Sequence, residues 1–258
     1  MINTALITGS TSGIGKAFAE KLAQEKINLV LVSRDAGKLT NQSKELSYKY
    51  GIQIFKVAAD LAETGAADKI YEAVKALGIS IQILINNAGF NECGSFLITN
   101  REKENKMVNL HIICTTELMK LFLPDMVNNG YGRILNLGST GSYMACPYDA
   151  VYAATKAYIL HVSKGINAEL KGTGVSVTTL CPGSTKTEFA AKANMENTTL
   201  FKLFVMDPET VAHIGYNALM KGRVSVIAGL YNKLLVLTSK LIPPGILNAV
   251  TKMMLRNT

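Results

Sequence analysis

The sequence predicts an α/β fold in which seven parallel strands form one doubly wound sheet with helices on both faces. Three observations predict it. Short β-branched runs alternate with longer helical patterns from residue 2 to about residue 228, the signature of repeated βαβ units. The first four runs are largely apolar throughout, as strands covered on both faces should be. The chain has 258 residues, 48% of them hydrophobic and 18% charged, which suits a single large core and excludes a disordered tail or linker protein.

The elements follow in order. The first strand, near Ile2 to Thr8, runs into a glycine-rich turn, and helical periodicity takes over from Gly13 to Glu25. Strands near Asn28 to Ser33, Gln53 to Ala58 and Ile81 to Asn86 are separated by helices near Gly37 to Tyr50 and Thr64 to Leu77. A long helix is expected from Asn100 to Val127, then a strand from Gly132 to Gly138, a helix from Val151 to Lys171 and a strand from Val175 to Leu180. Pro208 to Lys221 and Ser225 to Ala228 supply the last helix and strand of the alternation. No repeat, low-complexity tract or linker interrupts it, so residues 1–258 read as one domain. Two segments depart from the pattern: residues 188–206, expected as a substrate lid, and 229–258, expected as a C-terminal helical extension.

Charge and cysteine content narrow the function. The net charge of +8 is concentrated late, with seven basic residues after Phe201 against Asp207 and Glu209. They stand singly, without aromatic interleaving or a nucleic-acid motif, so no nucleic-acid partner is expected. Four cysteines (Cys93, Cys114, Cys146, Cys181) lie far apart with no CxxC pair and only three histidines. That reads as reduced thiols in a cytoplasmic protein, with no metal site. No apolar run reaches transmembrane length, and the first residues do not read as a secretion signal. In the tail, Ile246, Leu247, Val250, Met253 and Met254 fall at helical spacing with Lys252 and Arg256 among them. Such a stripe can rest on an anionic membrane surface, but more often packs on its own domain or a partner subunit.

The chemistry-bearing motifs begin after the first strand, at Thr8-Gly9-Ser10-Thr11-Ser12-Gly13-Ile14-Gly15. Glycines permit close backbone approach to a pyrophosphate, and the following helix offers the positive end of its dipole. The spacing is G-x-x-x-G-x-G, not G-x-G-x-x-G, so the general dinucleotide motif alone leaves a plain βα turn open. Asn86-Asn87-Ala88-Gly89 follows the fourth strand, and Tyr152-Ala153-Ala154-Thr155-Lys156 lies in the helix expected from Val151 to Lys171. Together, at these spacings, the three motifs resemble the short-chain dehydrogenases/reductases, over residues 2 to about 228. The tail more weakly resembles bacterial ketoacyl and hydroxysteroid reductase-like members.

The resemblance implies a Rossmann-like nucleotide fold binding a nicotinamide dinucleotide across the carboxyl ends of the strands. The second strand ends in Ser33-Arg34. Serine stands where an NAD enzyme carries aspartate, and the guanidinium can fork onto a 2′-phosphate, so NADP(H) is expected over NAD(H). By resemblance Asp60 and Leu61 meet the adenine, Asn87, Ala88 and Gly89 let backbone pass close to the cofactor, and Pro182, Gly183, Thr185 and Thr187 meet its nicotinamide end. Read without the family, Asp60 is more simply a helix N-cap.

Reducing a carbonyl requires a proton donor against the developing alkoxide. Tyr152 and Lys156 lie four apart on one helix face. A nearby ammonium and an oxidised nicotinamide would each lower the phenol pKa from its ordinary value near ~10. Ser139 ends the fifth strand thirteen residues before Tyr152, the family's separation between its serine and tyrosine. The family therefore implies Ser139 on the substrate oxygen, Tyr152 as proton donor, Lys156 on the nicotinamide ribose, and Asn109 steadying a relay water. Thr140 is a rival to Ser139, one position off that spacing. His111 reads as structural.

Phe90, Phe96, Tyr143, Met144, Pro147, Tyr148, Met195, Leu200, Phe201 and Phe204 are expected to wall the substrate pocket. The expected reaction is reversible NADPH-dependent reduction of an apolar ketone, ketoacyl- or steroid-like, to a secondary alcohol. The contrasting reading is a non-catalytic NADP(H)-binding sensor or scaffold. The family also implies a homodimer or homotetramer.

Overall fold

The computed structural model describes residues 4–193, 195, 198 and 205–255. Seven parallel strands form one sheet in the order β3-β2-β1-β4-β5-β6-β7. They are β1 (Thr4–Thr8), β2 (Asn28–Ser33), β3 (Ile54–Ala58), β4 (Ile83–Asn86), β5 (Gly132–Leu137), β6 (Val175–Cys181) and β7 (Ser225–Ile227). After β3 the chain returns across the sheet to place β4 beside β1. That reversal opens a crevice at the carboxyl ends of the two strands, where ligands of open α/β sheets bind.

Both faces of the sheet are covered, which is why its central strands are continuously apolar. Ile7, Leu29 and Leu31 face a core shared with Phe18 and Leu22 of α1 (Gly13–Gln24) and Val211 and Leu219 of α8 (Pro208–Met220). Leu6, Val30, Leu84 and Ile134 face the other core, with Ile70 of α3 (Ala66–Ala76) and Phe122 of α5 (Thr115–Asn128). Burying each such side chain contributes roughly 1.5–3 kcal/mol. Helix α2 (Ala36–Tyr50) ends at Gly51, whose φ of 65° provides the left-handed stop.

The long helix expected from Asn100 to Val127 is divided. Helix α4 (Arg101–Val108) passes into a π-helical turn, Asn109–Cys114, before α5 begins. The Thr115 hydroxyl donates to the Leu110 carbonyl five residues back, at 3.3 Å. The widened turn changes which side chains share a face, and His111 thereby comes inward, fully buried, toward α6 (Ala150–Glu169). Such turns recur at functional sites. Beyond β6 lie α7 (Glu188–Lys192) and then α8, and beyond β7 the tail forms α9 (Leu230–Ser239) and α10 (Pro244–Leu255).

Candidate active site

A cavity of about 660 Å³ runs along the carboxyl ends of the strands, from the β1 turn to the inner faces of α9 and α10. At one end Gly9 and Gly13 have φ of 65° and 50°, a backbone that other residues adopt at a cost. A Cβ on Gly13 would lie 2.8 Å from Thr187 Cγ2, across the cavity. Ser12 caps α1 without a side-chain bond, so the first amides of the helix remain available to an anion. Thr11 and Ser33 share a hydroxyl hydrogen bond of 2.9 Å that ties the turn to the end of β2.

Arg34 also lines this end, its Nη1 3.9 Å from Asp60 Oδ2, and both side chains are exposed. Asp60 accepts from the Ala62 amide at 3.0 Å, so its carboxylate braces its own turn; it caps no helix, since α3 is preceded by Gly65. Asp35, next to Arg34, is the N-cap of α2 and accepts from the Lys38 amide at 2.9 Å. Lys38 itself lines the cavity near Arg34, a second cation that sequence reasoning missed. Its signal was available: it stands four residues past Arg34, in the first turn of the next helix.

Most predicted cofactor residues reach the cavity wall, including Thr11, Ile14, Leu61, Asn87, Ala88, Gly89, Pro182, Gly183, Thr185 and Thr187. Ser10 and Gly15 do not. Ser10 is buried behind the turn, its carbonyl accepting from Gln42 Nε2 at 2.8 Å. Gly15 is small for packing, because a Cβ there would lie 2.1 Å from the Gly9 carbonyl oxygen and 2.4 Å from Asn87 Nδ2. Asn109 also misses the cavity wall. At the start of the π turn, its amide donates instead to the Ala62 carbonyl at 3.3 Å.

Deeper in the cavity, Ser139, Tyr152 and Lys156 converge. Ser139 caps a short 3-10 turn, Thr140–Tyr143, accepting at Oγ from the Gly141 amide at 3.1 Å while its own amide donates to Ser142 Oγ at 3.1 Å. A hydroxyl fixed in this way is held in one place, and it acts to lower the Tyr152 pKa. Lys156 is buried and donates to the Leu137 carbonyl at 2.8 Å, with Nζ 5.5 Å from the Tyr152 ring centre. Burial brings its pKa down to about 8. The Tyr152 phenol moves opposite to expectation: burial and then the Asp149 charge push its pKa up, against a smaller lowering from Ser139. In the protein alone the phenol is therefore held protonated, ready to donate.

His111 stands behind this group. Its Nδ1 is 2.9 Å from Thr155 Oγ1, its ring packs edge-on against Tyr152 at 5.8 Å, and burial holds it neutral. Gly89 leaves room for it, since a Cβ there would lie 2.7 Å from His111 Nε2.

The far end of the cavity is apolar. Phe90, Met144 and Met195 line it as expected. Phe96 is 69% exposed, and Tyr143 turns its hydroxyl toward Cys181 and Ser225. Pro147 and Tyr148 do not reach the wall, and Leu200, Phe201 and Phe204 lie outside the described residues. In their place the tail contributes Leu235 from α9 and Leu247, Val250 and Met254 from α10. Among the described residues no cluster suited to a metal ion occurs, and no helix is long and apolar enough to cross a membrane.

A parallel doubly wound sheet with a glycine turn after its first strand, two cations near that turn and a Ser-Tyr-Lys group at the strand ends defines an α/β protein of the dinucleotide-binding kind. The short chain dehydrogenase family matches residues 3–198. The chain belongs to that family. Human very-long-chain 3-oxoacyl-CoA reductase is 34% identical over 190 residues, covering 72% of this chain and 60% of the relative. The chain thus spans about 60% of the length of that relative. Among solved structures, a short-chain dehydrogenase from Sphingobium yanoikuyae in complex with NADPH superposes with a TM-score of 0.82 at 29% identity, covering 93% of this chain and 94% of the other. A 7beta-hydroxysteroid dehydrogenase superposes with a TM-score of 0.86 at 27% identity and 96% coverage of both.

Proposed function

We propose that the protein is an NADPH-dependent carbonyl reductase that converts an apolar ketone to a secondary alcohol, reversibly. The observation that carries this reading is the convergence of a fixed Ser139 hydroxyl, a protonated Tyr152 and a buried Lys156 at the junction of a polar and an apolar half-cavity. The residues fit a nicotinamide dinucleotide. Gly9, Gly13 and the uncapped start of α1 would take its pyrophosphate, Asp60 and Leu61 its adenine, and Thr187 its nicotinamide end. Arg34 and Lys38 favour NADP(H), because two cations at the ribose end match a 2′-phosphate.

Bound there, the reduced nicotinamide supplies the hydride. Ser139 Oγ then orients the carbonyl oxygen, Tyr152 Oη donates the proton as charge develops on that oxygen, and Lys156 favours the phenolate left behind. In the reverse direction Tyr152 must first lose its proton, which burial opposes and which Lys156 and an oxidised nicotinamide would favour. The asparagine relay expected at Asn109 is not supported by its side chain, which is engaged with Ala62. The tail-built apolar wall fits an acyl chain or polycyclic skeleton, in keeping with the relatives' names.

The test is a ketone panel of ketoacyl esters of increasing chain length, steroidal ketones and aldehydes, with NADPH and NADH separately. Turnover with NADPH, improving with apolar size, supports the reading. A protein that binds NADPH tightly and reduces none of them is a sensor or scaffold instead.

A further inference from the structure

Asp149 occupies the N-cap of α6, the position where an aspartate side chain normally accepts from the next turn's amides, yet it makes no such bond. It lies instead on the cavity wall, only 7% exposed, and the buried side chain of Asn91, itself 5% exposed, favours its charged form. Asn91 Nδ2 also reaches Met195 Sδ at 3.3 Å. Two buried acceptors are left over, Asp149 Oδ1 and Asn91 Oδ1, with no partner in the protein. Leaving such atoms unpaired is costly, on the order of 1–3 kcal/mol each, and native proteins rarely do so without a reason. The surroundings are sulfur and hydrocarbon, with Cys146, Met144 and Phe90 on the same wall.

Asp149 lies three positions before Tyr152, one helical turn from the proton donor. Resting on the reductase reading, we propose that Asp149 and Asn91 form a polar subsite that receives a hydroxyl group of the substrate, selecting a hydroxylated ketone over its hydrocarbon counterpart. Two buried acceptors without a partner in the protein call for a donor, and the net charge of +8 disfavours a cationic one. A hydroxyl can give its proton to one oxygen and rest against the other. A site built to hydrogen-bond a substrate hydroxyl rejects the analogue lacking it far more strongly than a methylene pocket could, because its own buried atoms are then stranded.

The experiment compares kcat/KM with NADPH for a medium-chain ketone and for the same ketone bearing a hydroxyl at successive carbons beyond the carbonyl. The expected result is a preference of about tenfold or more for one hydroxylated isomer. The ratio between the two substrates should fall toward one in Asp149→Leu and fall partway in Asn91→Ala. Because each ratio is taken within one variant, a general loss of folding or activity does not imitate the effect. Inhibition of the unaltered protein by alkane diols against alkanols of equal length gives a second reading without any substitution, with the diol expected to bind more tightly. Equal kcat/KM for every isomer, or a ratio unmoved by Asp149→Leu, overturns the subsite and leaves the reductase reading intact. Absence of turnover with any ketone overturns both.

Discussion

The two ends of the cavity are built from different materials. The end proposed for the dinucleotide is lined largely by backbone and short side chains: positive-φ glycines, helix amides and hydroxyls from the turns after β1, β2, β4 and β6. The substrate end is made of side chains drawn from residues 90–91, 144–149, 195 and the two tail helices, with one buried carboxyl among them. A dinucleotide is the same molecule in every turnover, so its seat can be built of fixed backbone. An apolar substrate is recognised by the volume and the few polar atoms around it, so its seat is assembled from distant segments.

Where the two ends meet, the largest effect is expected. Ser139→Ala removes the fixed hydroxyl at the carbonyl and should lower kcat with NADPH about 10²–10³-fold, with NADPH affinity unchanged by fluorescence titration. An unchanged kcat would separate the site from the chemistry. At the dinucleotide end, replacing Arg34 and Lys38 together by alanine should cut kcat/KM for NADPH about 10–100-fold and leave that for NADH nearly unaltered, the two charge-assisted bonds at this exposed end being worth together roughly 1.5–3 kcal/mol. Equal losses with both cofactors would assign the two cations to general attraction.

This contrast explains what was legible in the sequence. The strands and the glycine turn could be read because pleated burial and close backbone approach leave periodic, local marks such as Gly9, Gly13 and the apolar run Leu29 to Val32. Ser139, Tyr152 and Lys156 were legible through fixed spacing between a strand end and a helix. Gly15 shows the limit of the same logic, since a glycine needed for packing looks identical to one needed by a ligand. His111 was read as structural, and the π turn accounts for how it comes to be buried behind Tyr152; Asn109, named through the family resemblance, begins that turn with its side chain engaged with the Ala62 carbonyl. The substrate wall was half legible. Phe96 and Tyr143 sit in the right loops but face elsewhere, and nothing local to Leu247, Val250 or Met254 announces that the tail folds back over the site. Asp149 was invisible because its meaning depends on a bond it does not make.

The smallest expected effect is in stability and bears on the substrate end. Burial pushes the Asp149 carboxyl up to about 7 from 3.8, so the folded state holds a proton that the unfolded chain releases. Stability from this group is therefore full below about pH 4 and is lost as pH rises toward 7. Asn cannot ionise, so Asp149→Asn should melt about 2–4 °C above the unaltered protein at pH 8, with the gap closing toward pH 5. Lys156, lowered to about 8 from 10.5, contributes its own rise in stability only between those values, outside that window. A gap that does not change with pH would remove the burial account of Asp149.

The central claim is that Tyr152 delivers the proton where the two halves of the cavity join. It is tested most directly by following NADPH oxidation in single turnovers with a ketone that the unaltered protein reduces, against Tyr152→Phe. The account predicts a rate lowered about 10²–10⁴-fold while NADPH still binds with unaltered affinity. A phenylalanine variant that keeps the full rate would contradict it.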